Sequence, residues 1–138
     1  MRKMGRGMVA GRWIMVFLAV AVAAATACGG GSKPGTSGYA TITPQQLQTQ
    51  LDAGDELTII DLREPELYRA GHIPGAKNIP FEQFDGRISV LDPDDRIALV
   101  CHTGPMGDVS GSLLAEKGYG KVSNLQGGMA SWKGKLEK

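Results

Sequence analysis

Two hydrophobic rhythms alternate along most of the chain. Leu47 and Leu51 share one helical face, in a segment opened by Thr43-Pro44-Gln45-Gln46: a capping hydroxyl, proline at the first helical position and glutamine three residues after the cap. Gly54 supplies the stop. Leu57-Thr58-Ile59-Ile60 is a compact β-prone run closed by Asp61, and Glu64 to Ala70 has a helical pattern with Pro65 near its start and Gly71 past its end. Ala76 to Ile79 reads as a further strand before Pro80, and Phe81 to Arg87 as a short helix with Phe81 and Phe84 inward. Ile97-Ala98-Leu99-Val100 is uninterrupted apolar, as expected of a strand covered on both faces. Asp108 to Lys117 then supplies a helix with Val109, Leu113 and Leu114 inward and Gly118 as its stop. A strand from Val122 to Leu125, a Gly127-Gly128 turn and a short helix at Met129 to Lys133 complete the series. This alternation predicts an α/β sandwich with a mostly parallel central sheet of about five strands, flanked by helices on both faces.

The first 27 residues follow neither rhythm. Arg2, Lys3, Arg6 and Arg12 precede an apolar run from Trp13 to Ala25, and no acid occurs among them. A helix of about 13 residues spans roughly 20 Å, short of a hydrocarbon core of ~30 Å. The pattern therefore predicts a cleaved export signal rather than a permanent span. Ala25-Thr26-Ala27-Cys28 resembles a bacterial lipoprotein cleavage box, which implies that Cys28 becomes the lipidated first residue of the mature protein. The alternative is a signal cut near Ala27 that leaves Cys28 an ordinary thiol. Residues 28–38 have almost nothing to bury, so they read as a tether with a reach of very roughly 15–20 Å. The expected organisation is a signal peptide over 1–27, a tether over 28–38 and one domain over 39–138. The lipid would hold that domain at the cell membrane or outer membrane, in the periplasm or another extracytoplasmic space.

Composition changes once the leader is set apart. The whole chain of 138 residues has a formal net charge of +1, but without residues 1–27 there are 11 bases against 14 acids, a net charge of −3. That argues against a polybasic nucleic-acid binder, and the absence of a second long apolar run argues against a multi-span membrane protein. With Cys28 lipidated, Cys101 is the only thiol left and no intramolecular disulfide can form. A lone thiol outside the cytoplasm is an oxidation liability, so it calls for burial or a use.

In parallel sheets ligands bind beyond the carboxyl ends of the strands, and Cys101 is the first residue after the most apolar strand. Cys101-His102-Thr103-Gly104-Pro105-Met106-Gly107 leads straight into a helix, so its N–H groups can converge with the helix N-terminus in an anion cradle with sulfur at its base. A free thiol with the ordinary pKa of ~8.5 is only about 3% thiolate at pH 7. A helix terminus contributes ~0.3–1 kcal/mol, less than one pKa unit of ~1.4 kcal/mol, so several aimed N–H groups are needed as well. Only Pro105 in the loop lacks one. The competing reading is a small buried residue that merely ends a strand. The two histidines, His72 and His102, have no cysteine or acid cluster at ligand spacing, so no metal site and no cofactor is expected.

Three segments resemble a single-domain rhodanese. The run from Asp61 to Pro80 (Asp61-Leu62-Arg63-Glu64-Pro65-Glu66-Leu67-Tyr68-Arg69-Ala70-Gly71-His72-Ile73-Pro74-Gly75-Ala76-Lys77-Asn78-Ile79-Pro80) is similar to that family's long first signature. Val100-Cys101-His102-Thr103-Gly104 resembles the start of its active-site loop, and Leu125-Gln126-Gly127-Gly128-Met129-Ala130-Ser131-Trp132 its closing motif. The resemblance runs from about Thr41 to Trp132. It implies a sulfurtransferase that takes sulfane sulfur from a small donor (thiosulfate, polysulfide or a thiol persulfide) as a Cys101 persulfide and passes it to a thiophilic acceptor, a thiol or a cyanide-like anion. By the same resemblance Cys101 is nucleophile and carrier, while N–H groups of His102, Thr103, Gly104, Met106 and Gly107 bind the persulfide and the donor's oxygens. Asp61, Arg63, His72 and Gly75 order neighbouring turns rather than do chemistry.

One departure matters. Many active members read C-x-x-x-x-R, and here the sixth position is Met106. A charge-assisted hydrogen bond from that arginine is worth ~1.5–3 kcal/mol, or roughly 10- to 150-fold. Weak thiosulfate activity and a preference for less charged donors are therefore expected. Phosphatases and arsenate reductases on this fold use H-C-x-x-x-x-x-R, and those places hold Val100 and Gly107; a C-x-x-C dithiol role fails because Gly104 fills its last place. The alternative function is a non-catalytic rhodanese-like module, tethered to the membrane, that binds a partner or senses sulfide or redox state. Retention of Cys101 favours the enzyme.

Overall fold

The apolar runs pair side by side, all in parallel. A computed structural model describes residues 38–138; the leader, Cys28 and every tether residue before Gly38 lie outside the described residues. Strands β1 (Ala40–Ile42), β2 (Thr58–Asp61), β3 (Lys77–Asn78), β4 (Ile97–Val100) and β5 (Val122–Leu125) form one sheet in the order β1-β5-β4-β2-β3. Its register sets Ile60 beside Leu99 and Leu99 beside Asn124.

Between the strands lie helices α1 (Pro44–Asp52), α2 (Pro65–Ala70), α3 (Phe81–Arg87), α4 (Pro105–Glu116) and α5 (Gly128–Ser131), with a 3-10 turn, Ile88–Val90, after α3. The capping box at α1 is formed: Gln46 N donates to Thr43 Oγ1 at 3.2 Å, and Thr43 N donates to Gln46 Oε1 at 2.9 Å. Period-two alternation splits the sheet's side chains between two cores. Ile60, Ile97 and Leu99 pack with Phe84, Ile88 and Leu114 on one face, while Ile59, Ala98 and Val100 pack with Leu47, Ile73 and Trp132 on the other. Helices thus cover both faces, as the sequence pattern predicts. Among the described residues no helix is long and apolar enough to cross a membrane.

Strand β3 is two residues rather than the expected four of Ala76 to Ile79, β2 is displaced by one residue from Leu57–Ile60, and three further departures are larger. Strand β1 adds a row that the pattern does not announce, with Ile42 its one buried residue. Helix α4 begins at Pro105, three residues before the expected start at Asp108, because proline at the first helical position follows directly on Gly104. That start sets the helix's phase: Gly107, Ser110, Gly111 and Leu114 face the sheet, Leu113 is half-buried, and Val109, expected inward, is 58% exposed. Gly107 and Gly111 let the helix lie close, since a Cβ at Gly111 would come within 2.8 Å of the Tyr39 ring. Finally, α5 stops at Ser131 rather than Lys133, where Trp132 turns extended and buries its ring.

The helix phase can be checked by stability. Leu99 is fully buried, so Leu99→Ala is expected to lose about 2–5 kcal/mol in urea unfolding, whereas Val109→Ala should stay within about 0.5 kcal/mol of the parent. A large loss at Val109 would place it in the core.

Candidate active site

Beyond Val100 the chain leaves the sheet, and its backbone is caught from the far side. Met129 N donates to Cys101 O at 2.8 Å, and Ala130 N donates to His102 O at 3.0 Å. The approach is so tight that a Cβ on Gly128, which has φ 54°, would overlap the Cys101 carbonyl. The Gly127-Gly128 turn therefore braces the two residues that open the loop.

Cys101 is 1% exposed and free, at the floor of this junction. Gly104 N donates to Cys101 Sγ at 2.9 Å. Turning from that N–H into α4 takes a backbone φ of 126° at Gly104, a region that residues with a side chain rarely adopt. Since α4 starts at Pro105, only Cys101, His102, Thr103 and Gly104 separate strand from helix, and the N–H groups of Met106 and Gly107 belong to the first helical turn. Such groups have no intrahelical acceptor, and neither they nor the N–H groups of His102 and Thr103 donate to an acceptor among the described residues. The result is a buried thiol that accepts one loop N–H, beside a helix N-terminus whose first N–H groups have no acceptor among the described residues. His102, Thr103 and Met106 are exposed, so an incoming molecule meets them before the thiol.

The other residues expected near the site divide into two groups. Asp61, at the end of β2, is buried and takes Arg63 Nε at 3.0 Å on Oδ1 and Arg63 Nη2 at 2.6 Å on Oδ2. Arg63 Nη2 also donates to Gly71 O at 2.8 Å, which ties the turn after β2 to the end of α2. A pair this buried fixes geometry more than it adds stability. Arg63 and His102 share a mostly apolar groove of about 290 Å³ with Leu67, Ala70, Met129 and Leu136. His72 and Gly75 lie elsewhere: the His72 ring stacks on Tyr68 at 3.8 Å, its Nδ1 is 3.0 Å from Tyr68 O, and its backbone pairs with Glu137. Gly75 N donates to Glu137 Oε2 at 3.3 Å. No bond runs from either to the Cys101 loop. Among the described residues no three His, Cys, Asp or Glu side chains gather as a metal site.

Two residues at the loop were not singled out by the sequence. Asn124, buried on β5, donates from Nδ2 to Gly104 O at 3.0 Å and to Asp108 Oδ1 at 2.8 Å. Tyr39 OH donates to the same Asp108 oxygen at 2.8 Å. Asn124 Oδ1 is buried with no partner, an arrangement that costs about 1–3 kcal/mol. The available signal was one amide inside an otherwise apolar or small-residue strand, Val122-Ser123-Asn124-Leu125.

Comparison with known proteins agrees with this fold. Residues 43–135 match the family described as Rhodanese-like domain. YrkF of Bacillus subtilis is 32% identical over 106 residues, which cover 77% of this chain and 57% of that protein. The chain thus spans little more than half the length of that relative. A sulfurtransferase of Allochromatium vinosum is 29% identical over 91 residues, 66% of this chain and 85% of that protein. The crystal structure of a rhodanese-like domain protein from Staphylococcus aureus matches with a TM-score of 0.65 and 28% identity, covering 70% of this chain and 95% of that one.

Proposed function

The chain belongs to the rhodanese-like domain family, and from that premise we propose that its domain transfers sulfane sulfur through a persulfide on Cys101. One observation carries the proposal: a single buried thiol at the carboxyl end of the central strand receives the Gly104 N–H at 2.9 Å, at the start of α4. Kinship with a sulfurtransferase of Allochromatium vinosum supports it.

In the proposed reaction Cys101 loses its proton and its thiolate attacks the outer sulfur of the donor. The donor's S–S bond breaks, and its electron pair leaves with sulfite, a thiolate or a shortened polysulfide. The new Cys101–S–S⁻ rests on the loop's N–H groups. An acceptor thiolate or cyanide then attacks the terminal sulfur, and Cys101 departs as thiolate, ready for the next donor. Asp61 and Arg63 act here by holding the neighbouring turn, and no cofactor enters the cycle.

Donor preference follows from what stands at Met106. It is 36% exposed on the first turn of α4, where a cation would meet an anionic donor, and methionine offers none. The acidic charge of residues 28–138 gives no long-range help to thiosulfate. Polysulfide or a thiol persulfide is therefore the proposed donor, and an exposed thiol the acceptor. The leader extends the proposal to place: export through residues 1–27 and a lipid on Cys28, with the domain outside the cytoplasm.

Three measurements test these statements. Incubated with polysulfide or glutathione persulfide, residues 39–138 should gain one sulfur by intact mass that cyanide removes, and Cys101→Ser should gain none; no adduct from any donor overturns sulfur transfer. Met106→Arg should raise thiosulfate turnover by roughly 10- to 150-fold, the worth of one charge-assisted bond. An unchanged rate would mean that loop geometry, not charge, limits that donor. In cells, Cys28→Ala should move the full chain from the membrane to the soluble fraction, and membrane attachment that persists removes lipidation.

A further inference from the structure

Among the described residues Asn124 is the one buried side-chain amide that reaches the cysteine loop. It is 3% exposed, and both of its protons are committed, one to Gly104 O and one to Asp108 Oδ1. With both acceptors on the loop and the first turn of α4, the amide has a single orientation that satisfies them. That orientation leaves Oδ1 unpaired against Gly107, where a Cβ would overlap it. A buried oxygen without a partner is unusual enough to ask what the arrangement secures.

The answer lies in Gly104, whose two peptide groups face different tasks. Its N–H donates to Cys101 Sγ, while its carbonyl accepts from Asn124 Nδ2 at 3.0 Å and from Asp108 N at 3.2 Å. Glycine at φ 126° has several alternative conformations nearby, and nothing in its own side chain selects among them. The N–H and the carbonyl belong to successive peptide groups joined by this residue's φ and ψ, so anchoring the carbonyl narrows the φ and ψ available and with them the aim of the N–H.

We propose that Asn124 is a positioning residue for sulfur binding: by gripping the Gly104 carbonyl it keeps the Gly104 N–H aimed at sulfur on Cys101. The role rests on the persulfide reading above, but the aim of the N–H can be measured without a sulfur donor. Asp108, held by Tyr39 OH on the same oxygen, is the second anchor of the amide.

The test compares Asn124→Ala with Leu47→Ala, a core substitution on the opposite face of the sheet, at a temperature where both are folded. Two readouts are taken from each: the rate of sulfur gain from polysulfide by intact mass, and the rate of Cys101 alkylation by iodoacetamide at one fixed pH. Asn124→Ala should slow sulfur gain by about tenfold or more and slow alkylation as well, as expected when an aimed donor to a developing anion is lost. Leu47→Ala should lower the melting temperature and change neither readout per folded molecule. Parent-like sulfur gain and alkylation in Asn124→Ala, or equal changes in Leu47→Ala, overturn the proposal. Asn124→Ser, whose hydroxyl stands back from Gly104, serves the same comparison if the alanine variant does not fold. If the parent itself takes up no sulfur, the functional reading fails, while the alkylation comparison still decides the role of Asn124.

Discussion

Strand β4 is confined on every side. Ile97, Ala98, Leu99 and Val100 are all fully buried, with β2 paired along one flank, β5 along the other, and helices over both faces. A strand held this way can release its chain only at its ends, and the carboxyl end is where the helix N-terminus and the loop donors converge. Cys101 is the first residue past that point. The thiol therefore inherits its position from packing: if β4 slipped by one residue, its side chains would change faces and the thiol would leave the junction.

The same confinement explains what could be read from the sequence. Four apolar residues in a row gave β4 its exact ends, Ile97 and Val100, because burial on both faces writes itself into composition. Strand β1 left no such trace. Its three residues bury one side chain, and its place is set by pairing with β5, a partner more than eighty residues away. Helix α4 was read three residues short because its buried face is built from Gly107, Ser110 and Gly111, which add little to a hydrophobic rhythm. Val109 carries the apolar signal there and faces solvent.

At the site, legibility follows distance along the chain. Cys101 and the Gly104 N–H that it accepts lie three residues apart, so their meeting could be anticipated from a strand, a glycine and a proline. Asn124 bonds to residues 20 and 16 positions earlier, and no local spacing encodes that meeting. The brace from Met129 and Ala130 is likewise long-range, although the adjacent Gly127-Gly128 pair marks a place where backbone approaches backbone. Arg63 shows the reverse case: two residues from Asp61, its bidentate pairing is local and its groove with His102 is not.

The margins of the sheet bear on how the domain behaves among copies of itself. The outermost strands are β1 and β3, of three and two residues, so each border offers only a few unpaired backbone groups. Borders this short are poor templates for strand addition from another chain. The uniformly apolar strand that could otherwise seed such growth, β4, is the one placed at the centre. When copies are crowded together, the sheet has nowhere to extend.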